Sequence, residues 1–107
     1  MDRSQVSYVY MLECHGGRIY TGYTKDILWR YQMHLAGQAS RFTRSFPPKR
    51  MLTVWSIEAG QSLAQRVEYA VKSLSRQKKL KLVRSPHHLE SICDIETLPG
   101  LLVLKLT

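Results

Sequence analysis

Acidic residues are scarce over most of this chain, cysteines number two, and no apolar run approaches the ~20 residues of a membrane-spanning helix. Each scarcity removes a class of protein. Cys14 and Cys93 are too few for a disulfide framework or a cysteine-only zinc site. Cys14 lies in a strand-like run and reads as a reduced, buried thiol, although one bridge to Cys93 stays open. The opening residues Met1-Asp2-Arg3-Ser4-Gln5 are polar and lack the apolar stretch of a signal peptide, so a cytoplasmic protein with no membrane association is expected. Repeats, linkers and low-complexity segments are absent. At 107 residues the chain has room for a single modest core.

The shortage of acids is uneven. Residues 1–84 hold 15 basic and five acidic residues, whereas residues 85–107 hold one and three. A concentrated positive body suits a polyanion, and nucleic acid is the commonest one inside a cell. The chain thus divides into a basic body, residues 1–84, and a C-terminal extension, residues 85–107, packed on the same domain.

Val6 to Glu13 is rich in Val, Tyr and Leu and reads as a strand buried on both faces. His15-Gly16-Gly17 is turn chemistry, and Arg18 to Thr21 resumes strand character, which together make a β-hairpin. Tyr10 and Tyr20 are expected to face each other across it. Thr24 is a candidate N-cap with Asp26 in the first turn, opening a helix over 25–36 with Ile27, Leu28, Tyr31 and Leu35 as its apolar stripe. Residues 38–50 read as a loop. Arg41, Arg44, Lys49 and Arg50 interleave there with Phe42 and Phe46, either to grip nucleic acid or with both rings tucked into the core. Met51 to Ile57 alternates as a third strand. Ser62 and Gln65 have capping-box spacing and open a helix with Leu63, Val67, Ala70, Val71 and Leu74 on one face. Leu80, Leu82 and Val83 suggest a further short helix. After the break at Ser85-Pro86, Leu89, Ile92 and Cys93 form a possible inner face, Pro99-Gly100 a turn, and Leu101 to Leu104 a short strand. The expected fold is α+β, a small three-stranded antiparallel sheet flanked by helices in the order ββαβα, with a helical and strand tail.

Several residues could serve chemistry on phosphate. Arg30 and His34 are one turn apart on one helix face, and Arg binds phosphate bidentately. Glu68 is the sole carboxylate among seven cations of residues 66–84, which include Lys72, Arg76, Lys78 and Lys79. It is either the i, i+4 partner of Lys72 or a metal ligand, since magnesium often takes only one or two protein carboxylates. Tyr10 and Tyr20, by pattern alone, are cross-strand packing residues.

Taken together, Tyr8-Val9-Tyr10, Tyr20-Thr21-Gly22, Arg30, His34 and Glu68 resemble the ordered motifs of the GIY-YIG endonuclease family. The resemblance runs from Val6 to Val83 and is closest to the small single-domain bacterial branch, related to the nuclease domain of Slx-type enzymes. Segments like Phe42-Thr43-Arg44 and Lys72-Ser73-Leu74-Ser75-Arg76 recur in that branch. Tyr8 replaces the glycine of the first motif, and Tyr23 stands where some relatives carry lysine. The resemblance implies an endonuclease using Mg²⁺ or Mn²⁺. Tyr20 would be the general base, Tyr10 its hydrogen-bonding support, Arg30 the phosphate clamp, His34 an aid to binding or proton transfer, and Glu68 the metal ligand. It also implies DNA as partner, nicked, flapped or branched, in repair or recombination. Arg41, Arg44, Lys49, Arg50, Lys72, Arg76, Lys78 and Lys79 are the candidate nucleic-acid contacts. The competing readings are a non-catalytic nucleic-acid-binding module on the same scaffold, and a domain that self-associates or binds a protein partner through its apolar tail.

Overall fold

The computed structural model describes residues 6–58, 60–92 and 102–104. Strands β1 (Ser7–Cys14) and β2 (Arg18–Thr24) form the expected hairpin. Helices α1 (Ile27–Leu35) and α2 (Arg41–Ser45) lead into β3 (Pro48–Ile57), and α3 (Gln61–Lys72), α4 (Arg76–Arg84) and α5 (Leu89–Ile92) precede β4 (Leu102–Leu104). The sheet is antiparallel throughout, with spatial order β2-β1-β3-β4. The architecture is the α+β sheet-and-helix arrangement read from the sequence. The strand expected in the tail adds a short fourth member to the three of the body.

β1 is central and its neighbours cover both edges, so its run of apolar residues can be buried on both faces. Val9 and Met11 point to one side, where Trp55 and Ile57 of β3 meet Val67 and Val71 of α3, Leu82 of α4 and Leu89 of α5. Tyr10, Leu12 and Cys14 point to the other, against Val54 and Ile27, with Tyr20, Tyr31, Phe42 and Phe46 around them. Trp55 donates its indole N–H to the Pro86 carbonyl at 3.0 Å, which ties the extension to the sheet. Cys14 is a buried free thiol, while Cys93 and the Pro99-Gly100 turn lie outside the described residues.

Several local readings are corrected. The hairpin turns through His15–Gly17, with Gly16 and Gly17 at φ of 77° and 71°. That turn pairs Tyr10 with Gly22 and Leu12 with Tyr20, so the two tyrosines are diagonal rather than opposite. Asp26, not Thr24, caps α1, accepting the Trp29 amide at 3.0 Å, while the Thr24 hydroxyl accepts the Asp26 amide. The stripe on α1 is displaced too. Ile27 and His34 are buried, whereas Leu28 and Leu35 are 67% and 56% exposed. A histidine displaces leucine from the interior because both its ring nitrogens find partners there. Residues 38–50 are not a loop. Ser40 accepts the Thr43 amide at 3.1 Å and starts α2, and β3 begins at Pro48. Gly60, not Ser62, stands at the N-cap of α3, and no side chain caps it.

Candidate active site

Successive side chains of a strand alternate between faces, so Tyr10 on β1 and Tyr20 on β2 share one face of the hairpin. Their ring centres are 6.3 Å apart. Gly22, opposite Tyr10, leaves room for the Tyr10 ring to lie over the β2 backbone. A Cβ there would overlap the phenol oxygen and stand 2.5 Å from Cζ.

α1 brings His34 onto the two tyrosines. Its Nε2 is 2.6 Å from the Tyr10 hydroxyl, and its ring centre lies 5.0 Å from that of Tyr20. On its other side Nδ1 is 2.8 Å from the Thr43 hydroxyl, which is 2.9 Å from the Ser40 hydroxyl. A buried chain therefore runs Tyr10–His34–Thr43–Ser40. Burial and the nearby Arg30 charge lower the His34 pKa to about 4, so the imidazole is neutral at pH 7. A neutral ring donates at one nitrogen and accepts at the other. Burial also pushes the Tyr10 phenol well above the usual tyrosine range, with Tyr20 and Glu68 adding to the rise and Arg30 opposing it.

Arg30 lies close enough for its charge to act on both Tyr10 and His34. Its Nε is buried without a hydrogen-bond partner, and it is the only charged group among the described residues in that condition. Glu68 comes from α3, which packs on the opposite face, yet its charge too is felt at Tyr10. Lys72, one turn on, lies 3.4 Å from the Glu68 carboxylate and 5.9 Å from the centre of the Tyr20 ring. β2 is an edge strand, and α3 packs against it, which lets Lys72 come near the Tyr20 ring.

The cations divide between two regions. Lys72 is at the tyrosines, and Lys79 lies near it, since burial and then Lys72 hold its ammonium below the usual lysine range. Arg41 and Arg44 are exposed on α2, on the tyrosine side. Lys49 is exposed on β3. Arg50 instead pairs with Glu13 at 2.9 Å, Arg76 donates to the Gly17 carbonyl, and Lys78 lines a separate hollow with Leu74 and His88. Phe42 stacks on Tyr20 and Phe46 lies under the Arg18 guanidinium, so both rings pack into the fold. Sequence reasoning missed Thr43 as a partner of His34, and Ser40 as the partner of Thr43 behind it. The recurrence of Phe42-Thr43-Arg44 was the available signal, but it carried no indication of which atom Thr43 would meet.

A small antiparallel sheet thus presents two tyrosines to a helical histidine and arginine, with a glutamate of α3 near them. The model of the GIY-YIG catalytic domain matches residues 6–81, and the chain belongs to this family of nucleases. UPF0213 protein BH0048 of Halalkalibacterium halodurans is 45% identical over 76 residues, covering 71% of this chain and 80% of that one. A UPF0213 protein of Cupriavidus pinatubonensis is 41% identical over 73 residues, 68% of this chain and 80% of the relative. The solution NMR structure of UPF0213 protein BH0048 from Bacillus halodurans superposes with a TM-score of 0.50 at 39% identity, covering 80% of this chain and 94% of the other. No helix among the described residues is long and apolar enough to cross a membrane.

Proposed function

We propose that this protein is a divalent-metal-dependent DNA endonuclease whose site is Tyr10, Tyr20, Arg30, His34 and Glu68, acting on nicked, flapped or branched DNA in repair or recombination. The observation that carries the reading is the convergence of Tyr10, Tyr20 and His34, with the charges of Arg30 and Glu68 both acting on Tyr10.

The two phenols have different work. Tyr10 is buried and held protonated, which makes it a hydrogen-bonding group rather than a base. Tyr20 is half-buried and is left to take the proton of the attacking water. Arg30 and Lys72 set positive charge beside the two tyrosines, where it can meet the negative charge that develops on the phosphate. Arg30 holds a non-bridging phosphate oxygen. His34 stays neutral and orients Tyr10.

The residues fit a hard cation held mainly by water and phosphate. Among the described residues there is no cluster of three His, Cys, Asp or Glu, and Glu68 is the carboxylate that faces the tyrosines. Lys72 contacts it through an exposed, flexible stem that can move aside. When bound at Glu68, Mg²⁺ or Mn²⁺ would supply Lewis-acid stabilisation of charge on the phosphate.

Cleavage of nicked, flapped and branched DNA with Mg²⁺ or Mn²⁺ tests the reading. Glu68→Ala is expected to abolish cutting and to leave binding largely intact, and Tyr20→Phe to slow it by ~10²–10⁴. If the wild-type protein binds DNA and never cuts it, the chain is a binding module on a nuclease scaffold. If Glu68→Ala cuts normally, the metal assignment fails.

A further inference from the structure

Trp29 is half-exposed, at 51%, on a helix whose next residue is the proposed phosphate clamp. An indole so placed is costly to leave in water and calls for an explanation. It is one of three exposed apolar side chains on α1, with Leu28 and Leu35. Leu28 and Leu35, seven residues apart, share one flank of α1. Trp29 lies on the other flank, with Arg30 and Met33, and the Arg30 guanidinium carbon is 5.7 Å from its ring centre. The Asp26 carboxylate is occupied in capping the Trp29 amide, which also fixes the backbone that presents the ring.

We propose that Trp29 is a stacking platform for an unpaired base next to the phosphate held by Arg30, so that single-stranded character beside the cut is a selection element. The proposal rests on the reading of Arg30 as the phosphate clamp. The occupant follows from chemistry. Arg30 places a negative phosphate beside the ring, and the surrounding body is strongly cationic, which suits a nucleic acid better than an apolar protein surface. Bases inside a duplex are already stacked on both faces and held in pairs, so it is an unpaired base at a flap, gap or overhang that can swing out onto an exposed indole. Stacking tolerates any base, so the platform would sense structure rather than sequence.

Trp29 can be followed by its own light. The chain has two tryptophans, and Trp55 is fully buried. With divalent cations chelated, a short oligothymidylate should quench the exposed emission, and a blunt duplex of equal length should not. By anisotropy, Trp29→Ala should weaken oligothymidylate binding by about fivefold or more, Trp29→Phe should retain most of it, and duplex affinity should change less than about twofold in either variant. Absence of quenching, equal losses on single strand and duplex, or quenching that follows protein concentration without DNA would overturn the proposal, the last by showing self-association through α1. Neither readout needs cleavage, so failure of the nuclease reading would show separately, as DNA bound and never cut.

Discussion

His34 is 1% exposed and carries two hydrogen bonds, to Tyr10 and to Thr43. Thr43→Val keeps the shape and removes the hydroxyl, leaving a buried ring nitrogen unpaired. It should cost about 1–3 kcal/mol of stability by urea denaturation and lower cleavage as well, whereas Thr43→Ser should retain most of both. The same burial makes stability depend on pH. The His34 pKa is about 4 in the folded chain against an ordinary 6.5, so as pH falls the unfolded state binds the proton first. Stability from this group is complete above pH 6.5, declines between 6.5 and about 4, and levels off below. The loss amounts to at most about 3 kcal/mol. Unfolding free energies at pH 7 and pH 5 should therefore differ more in the wild type than in His34→Gln.

At the level of elements, two contacts decide where the site stands. α1 begins at Asp26, and Asp26→Ala should destabilise by about 1 kcal/mol in thermal melts, with Thr24 unable to replace the lost acceptor. Gly22 is needed for close approach, not for its backbone angle. Gly22→Ala would push on the Tyr10 phenol and break its bond to His34, costing about 1–3 kcal/mol and most of the cleavage activity. The expected helix over 25–36 was legible because its apolar residues recur at helical spacing. Its buried face was not, since hydropathy cannot tell that a histidine will find two partners. α2 escaped notice because a helix of five residues, set between a capping serine and a proline pair, is too short for a periodic signal.

Across the whole molecule, charge and topology act together. The body is strongly basic, and binding that rests on phosphate contacts should weaken steeply as salt rises. The cations are not equivalent, however. Arg41, Arg44 and Lys72 are on the tyrosine side or at its edge, whereas Arg50 and Arg76 are engaged by Glu13 and Gly17 near α4. Reversing Arg41 and Arg44 together should flatten the salt dependence of DNA binding, and reversing Arg50 and Arg76 should change it much less. Fluorescence anisotropy across a salt series checks both.

The sequence by itself determined the hairpin, the α+β class, the basic body and the order of the five motif residues. Those are local or cumulative properties, written in alternation, helical spacing, turn residues and net charge. Only the tertiary structure decided that Tyr10 and Tyr20 sit diagonally, that Thr43 and Ser40 complete the chain behind His34, and that α3 brings Glu68 and Lys72 near the tyrosines. These are relations between residues far apart in the chain. They depend on turn geometry, on which helix covers which face, and on the pairing of buried polar groups, none of which a local pattern records.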